Sequence, residues 1–187
     1  MTAFSSTPAK AGVQPRPAGD WTPAFAGVDR ATRAANLLAL LIPAALLAGA
    51  WGFQLIGGYA PCEMCHWQRW PHYGAVGIAA LAFAVAGRAR VALIAAAAAL
   101  IAVSGIIGVL HYGVEQHWWQ GFTACTAPTA ITGATAAERL DSLLAQPVVR
   151  CDAPAWTLLS ISMAGYNALF SLGGAALIGG LLLRRAR

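Results

Sequence analysis

Four cysteines, Cys62, Cys65, Cys125 and Cys151, offer most of the chemistry in this chain. Cys62 and Cys65 form a C-x-x-C pair at the edge of a hydrophobic run, and Cys125 and Cys151 fall in one long polar loop. A thiolate is a nucleophile and a metal ligand, and C-x-x-C pairs lower a thiol pKa and exchange disulfides readily. Four cysteines permit three pairings. The sequence-local choice is Cys62–Cys65 with Cys125–Cys151. Arg69 follows Cys65 by four residues, so on a helix it shares a face with that sulfur, and a fixed cation there favours the thiolate. Pro71 fits a first helical turn, which would leave Arg69 just outside the helix. His111 lies near the outer end of another apolar run, where an ionisable group is a functional candidate by default. Glu115 and His117 follow it and read as solvated.

The elements that must position these residues are apolar helices. The chain has 187 residues, 58% hydrophobic and 10% charged, against roughly 25% charge in soluble domains. The runs Asn36–Gly57, Trp70–Gly87, Val91–Tyr112 and Trp156–Leu183 are each near the ~20 residues that cross a bilayer, the second being the shortest. The expected fold is an all-α membrane protein, a four-transmembrane-helix bundle. Its first outer loop is short (Gly58–Trp67) and its second is long (about residues 113–155). Residues 1–33, rich in Pro, Ala, Ser and Thr, read as a disordered cytoplasmic tail, residues 34–183 as the bundle, and residues 184–187 as a basic cytoplasmic C-terminus.

A net charge of +5 could point to nucleic acid, but its distribution does not. Lys10, Arg16, Arg30 and Arg33 precede the first run, Arg88 and Arg90 fill the tight second connection, and Arg184, Arg185 and Arg187 end the chain. The other side carries Arg69, Arg139 and Arg150 with Glu63, Glu115, Glu138, Asp141 and Asp152. That is the positive-inside pattern, with both termini cytoplasmic and every cysteine on the outer side. Trp51, Trp67, Trp70, Trp118, Trp119 and Trp156 fall at the same outer interface, where amphipathic rings settle. Ala48-Gly49-Ala50 has the form of a signal-cleavage site, but the basic flank is too long and the apolar run continues past it, so the first run is read as a retained span. In the second loop, Ala136–Val149 places Leu140, Leu143, Leu144 and Val148 at helical spacing, for a helix lying on the headgroups or packing on the loop, with Pro147 ending or bending it. Gly105, Gly108, Gly173, Gly174, Gly179 and Gly180 read as close-packing positions.

Other chemistries attach to the same residues. Both cysteine pairs could be structural disulfides, although a C-x-x-C link closes a very small loop and stabilises little. Cys62-Glu63-Met64-Cys65-His66 has the C-x-x-C-H form of a haem c attachment site. Cys62, Cys65 and His66 could capture a metal, but no matched fourth ligand appears at zinc-site spacing. There is no phosphate loop and no basic-aromatic surface for nucleic acid.

Over roughly residues 36–183 the chain resembles the DsbB family of disulfide bond formation proteins. The resemblance rests on Pro61-Cys62-Glu63-Met64-Cys65-His66-Trp67-Gln68-Arg69, on His111 upstream of Cys125, and on Cys151-Asp152 followed by Trp156 and Ser162-Met163-Ala164-Gly165-Tyr166-Asn167. It implies a bacterial inner-membrane enzyme that reoxidises a periplasmic DsbA-like thiol oxidase and passes the electrons to ubiquinone or menaquinone. Cys62, Cys65, Cys125 and Cys151 would be catalytic, with Cys125 meeting the partner. Arg69 and His111 would bind the quinone, and no metal is expected. Two departures are His66, which recreates the haem pattern, and the Gly/Thr/Ala segment Ile131–Ala137 between the loop cysteines. A sister branch with a dedicated oxidase and the quinone-linked reductases related to vitamin K epoxide reductase stay open as alternatives.

Overall fold

The computed structural model describes residues 30–121, 123, 133–144 and 149–185. The sequence readings for residues 1–29, for Cys125, for Ile131, Thr132, Pro147 and Val148 and for the last two residues lie outside the described residues. Four long helices, α1 (Arg30–Leu55), α2 (Glu63–Ala84), α3 (Gly87–Glu115) and α5 (Met163–Arg185), pack together, with a short α4 (Ala136–Leu144) in the second loop. A two-residue antiparallel pair, β1 (Thr157–Leu158) with β2 (Ile161–Ser162), precedes α5.

Three of these helices, α1, α3 and Met163–Arg184 of α5, are long and apolar enough to cross a membrane. The second helix spans 22 residues, but its first turns carry Glu63, His66, Arg69 and His72.

Several boundaries differ from the sequence reading, each for a local reason. The first helix starts at Arg30, inside the segment read as tail. The second starts at Glu63 rather than Trp70 because Cys62 caps it: Cys62 Sγ accepts from the Cys65 N–H at 3.3 Å. Pro71 therefore lies well inside α2, and Arg69 is helical. The tight turn into α3 uses Gly87 at φ +62°, a conformation that glycine adopts without strain. Arg90 reaches back from α3 to the carbonyls of Ala82 (3.0 Å) and Val85 (2.8 Å), satisfying acceptors that the end of α2 leaves open. The run read as helical from Trp156 begins instead as a hairpin, turning on Leu159 and Ser160, both at positive φ. Ser162 then caps α5, its Oγ accepting from the Gly165 N–H at 3.2 Å.

Small residues set the core. Ala35, Ala39, Ala75, Ala79, Ala82, Ala97 and Ala98 are buried with Ile94, Ile101 and Ile178, so the backbones approach closely. Large apolar residues such as Leu41, Leu81, Ile106, Phe170 and Leu177 face outward. A helix bundle in lipid gains little from hiding apolar surface and is held by such close packing. At Gly108 an added Cβ would lie 3.0 Å from the Ala168 nitrogen and 3.1 Å from the Ala164 carbonyl, so α3 and α5 touch backbone to backbone there. Gly105 and Gly174 instead receive side chains, of Leu172 and Ile42, whereas Gly173, Gly179 and Gly180 face open space and are not packing positions within the chain.

Candidate active site

The first turn of α2 carries both C-x-x-C sulfurs. Cys62 is buried and Cys65 half-buried; both are free, with their sulfurs 2.8 Å apart. A helix N-terminus carries partial positive charge, which favours negative sulfur in this turn. The last turn of α3 brings His111 against them, its Nε2 3.6 Å from Cys62 Sγ. The loop before the hairpin brings Cys151, which is fully buried and disulfide-bonded. Donor atoms of Cys62, His111 and Cys151 all lie within 4.8 Å of one another. This trio has the makings of a metal site only when Cys151 carries a free thiol. Cys65 and His66, counted as ligands in the sequence, are outside it, and His66 is exposed.

Arg69 is 8% exposed and lies one turn beyond Cys65. It donates to Gln54 Oε1 (2.6 Å) and to the Ala50 carbonyl (3.1 Å), and its guanidinium sits 5.3 Å from the centre of the Trp51 ring. These partners are neutral, and among the described residues Arg69 forms no salt bridge. Keeping a cation out of water without a paired anion is costly, so such a group attracts electron-rich oxygen.

A cavity of roughly 370 Å³ opens beside these groups. Cys62, Cys65, Arg69 and His111 line it, together with apolar residues of α1 and α5 such as Leu46, Phe53 and Met163. Five of the six site residues named from the sequence thus meet at one end of the bundle; Cys125 lies outside the described residues.

Sequence reasoning passed over the polar side chains behind this site. Glu115, read as solvated, is 8% exposed; it accepts from Ser162 Oγ and lies 3.7 Å from His111 Nε2. Its place one turn after His111 was the available signal, since residues four apart share a helix face. His117 is exposed, as read. Gln68, His72, Ser104, Asn167 and Ser171 form a hydrogen-bonded cluster among α2, α3 and α5. No sequence spacing links Asn167 to α2, so that part became visible only in the fold.

On the loop, Arg150 donates to Asp152 at 2.8 Å and holds that carboxyl below the usual carboxylate range. Glu138 accepts from the N–H groups of Ala134 and Thr135, while Thr135 Oγ1 accepts from the Glu138 N–H. This capping box starts α4, a helix with no buried residue, and likewise lowers the Glu138 pKa.

The profile of the family described as disulfide bond formation protein DsbB matches residues 32–181, most of the chain. The chain belongs to the DsbB family. Membership implies a disulfide-forming oxidoreductase, and the three long apolar helices agree with a membrane setting. The DsbB match spans both cysteine-bearing loops and all four long helices. No curated protein and no solved structure gives a significant match.

Proposed function

We propose that this DsbB-family chain is a quinone-dependent protein dithiol oxidoreductase of the bacterial inner membrane that reoxidises a periplasmic DsbA-like thiol oxidase. The observation that carries the reading is the meeting of Cys62, His111 and Cys151 within 4.8 Å beside a cavity walled by Cys65 and Arg69. One cysteine pair reaches into a polar loop and the other opens onto an apolar pocket, as a relay between water-borne thiols and a lipid-soluble acceptor requires.

In this reading α2 is a fourth span, both termini are cytoplasmic and the cysteines are periplasmic. Its support is the charge distribution: Arg88 and Arg90 lie in the first turn of α3, beside the turn from α2 and at the opposite helix ends from Cys62 and His111.

The steps are thiol–disulfide exchanges, each forming one S–S bond and breaking another. A partner thiolate attacks Cys125 of a Cys125–Cys151 disulfide, and Cys151 leaves as thiolate. The partner's second thiol then resolves the mixed disulfide and departs oxidised, leaving Cys125 and Cys151 reduced. Cys151 attacks Cys62 of the Cys62–Cys65 disulfide and releases Cys65 as thiolate beside Arg69. Cys125 then attacks Cys151, restoring the loop disulfide and leaving the electron pair on Cys62 and Cys65.

The cavity residues fit a quinone. The walls are mostly apolar, and Arg69 is a buried cation with neutral partners, suited to hold a ring oxygen. Bound there, a ubiquinone or menaquinone supplies a two-electron, two-proton acceptor. Arg69 and His111 would hold it, and both can stabilise developing negative charge.

The test is anaerobic mixing of the purified protein with a reduced dithiol oxidase and a ubiquinone-like acceptor, following quinone absorbance. Stoichiometric loss of quinone with oxidation of the partner is expected. No absorbance change with any quinone and a reduced DsbA-type partner overturns the proposal.

A further inference from the structure

The buried polar cluster fixes which nitrogen of His111 carries the proton. Two backbone carbonyls, which can only accept, orient the amides. Gln68 Nε2 donates to the Met64 carbonyl at 3.2 Å, and Asn167 Nδ2 donates to the Ser104 carbonyl at 3.1 Å. Turning either amide over would place oxygen against oxygen. With that orientation, Asn167 Nδ2 also donates to Gln68 Oε1 at 2.8 Å. The remaining Gln68 Nε2–H then points at His111 Nδ1, 2.8 Å away. His111 Nδ1 must accept, so the neutral ring carries its proton on Nε2. That nitrogen faces Cys62 Sγ at 3.6 Å and Glu115 Oε1 at 3.7 Å, both acceptors when negative, and the ring also donates to the Cys151 backbone carbonyl. The chain extends backwards by the same logic: Asn167 Oδ1 accepts from His72 Nε2 at 3.0 Å and from Ser171 Oγ at 3.1 Å.

We propose that Gln68, held by the Met64 carbonyl and Asn167, is a positioning residue that keeps His111 as an Nε2–H donor aimed at Cys62. His111 thereby stabilises a Cys62 thiolate and does not act as the base that deprotonates it. The consequence for turnover rests on the relay proposed above. When Cys125 attacks Cys151, a Cys125–Cys151 bond forms, the Cys62–Cys151 bond breaks, and the electron pair lands on Cys62 Sγ under this donor. Hydrogen bonds to charged atoms are stronger than those between neutral groups, so the effect concentrates where Cys62 is the leaving group.

The tautomer is read by ¹⁵N NMR of histidine-labelled protein in nanodiscs; only four histidines are present, which makes assignment by substitution practical. The wild type should show a bare, pyridine-type Nδ1 and a protonated Nε2 for His111. Gln68→Glu replaces the amide with a group that accepts, so Nδ1 should become protonated. In a Cys65→Ser background, alkylation of Cys62 at fixed pH should slow about tenfold in Gln68→Met, which removes the donor without adding charge. A protonated Nδ1 in the wild type overturns the assignment, whatever the variants do. Alkylation at the wild-type rate in Gln68→Met overturns the positioning role. No measurement here uses quinone or partner, so failure of the relay itself would appear separately, in the quinone assay.

Discussion

The two halves of α2, α3 and α5 use the same backbone for opposite purposes. Away from the cysteines the contacts are made by Ala75, Ala79, Ala82, Ile94, Ala97 and Ile178, side chains with no chemistry and little conformational choice. Toward the cysteines the same helices bury Gln68, Arg69, His72, Ser104, His111, Glu115 and Ser171. One half is tolerant in kind, because any small apolar side chain keeps the helices close. The other is specific, because each buried polar atom needs a partner of the right sense. Substitutions in the apolar half should therefore change stability and leave the chemistry alone, and those in the polar half should do the reverse.

The sharpest contrast is at Cys65. Cys65→Ser should reduce quinone turnover to background and leave the fold intact, since the residue is half-buried at a helix end. Capture of the partner as a mixed disulfide on Cys125 should persist, because that step precedes Cys65 in the relay. Full quinone turnover in the serine variant would show that the order of cysteines is wrong.

Gly108 probes the packing side of the comparison. Its neighbours are the backbone atoms of Ala168 and Ala164, which cannot move aside singly. Gly108→Val should therefore destabilise by about 1–3 kcal/mol or more, as overpacking does. Gly173→Val, at a glycine with nothing within 4 Å, should change stability little. Equal losses of thermal stability at both positions would mean that the α3–α5 approach is not what these glycines serve.

How much was readable in advance follows the same division. Hydrophobic run length located α3 and the end of α1 to within a few residues, because an apolar helix declares itself along the sequence, but it left out Arg30–Ala35 at the start of α1. It misplaced the starts of α2 and α5, where residues that look interfacial do local work: Cys62 caps α2, and Leu159-Ser160 turn a hairpin before Ser162 caps α5. Cys62, Cys65, Cys151, Arg69 and His111, which the fold brings to one end of the bundle, were the residues that type and spacing singled out. Glu115 was misread because a carboxylate near an interface is usually solvated, and its partner Ser162 is 47 residues away. Gln68 and Asn167, 99 residues apart, have no sequence signature, since a neutral amide acquires a role only through what it faces.

Arg69 lies in the polar half, yet its contacts with Gln54, Ala50 and Trp51 also tie α2 to α1. Arg69→Met keeps much of the apolar stem and removes the charge. The apparent KM for quinone should rise about tenfold, corresponding to ~1.4 kcal/mol of lost binding, with melting temperature nearly unchanged. An unaltered KM would reduce Arg69 to a strut between helices and would move the cationic part of the proposed site elsewhere.

The smallest effect is expected at the Arg150–Asp152 pair, which adjoins Cys151 but stands largely in solvent on the arginine side. The hydrogen bond and charge of Arg150 lower the Asp152 pKa in the folded loop. A carboxyl whose folded pKa is depressed contributes stability above its unfolded value, about 3.9, and loses it as pH falls through the folded value. The loop around Cys151 should thus hold from neutral pH down to about that unfolded value and loosen only in stronger acid, with a modest amplitude because exposed ion pairs contribute little. Hydrogen exchange of the loop amides across an acid series reads this directly, and Arg150→Ala should remove the Asp152-linked part of the transition. Loosening that begins nearer pH 6 and survives in Arg150→Ala would assign the acid response to another group. The division between a buried site and a solvent-tuned loop would then have to be redrawn at Cys151.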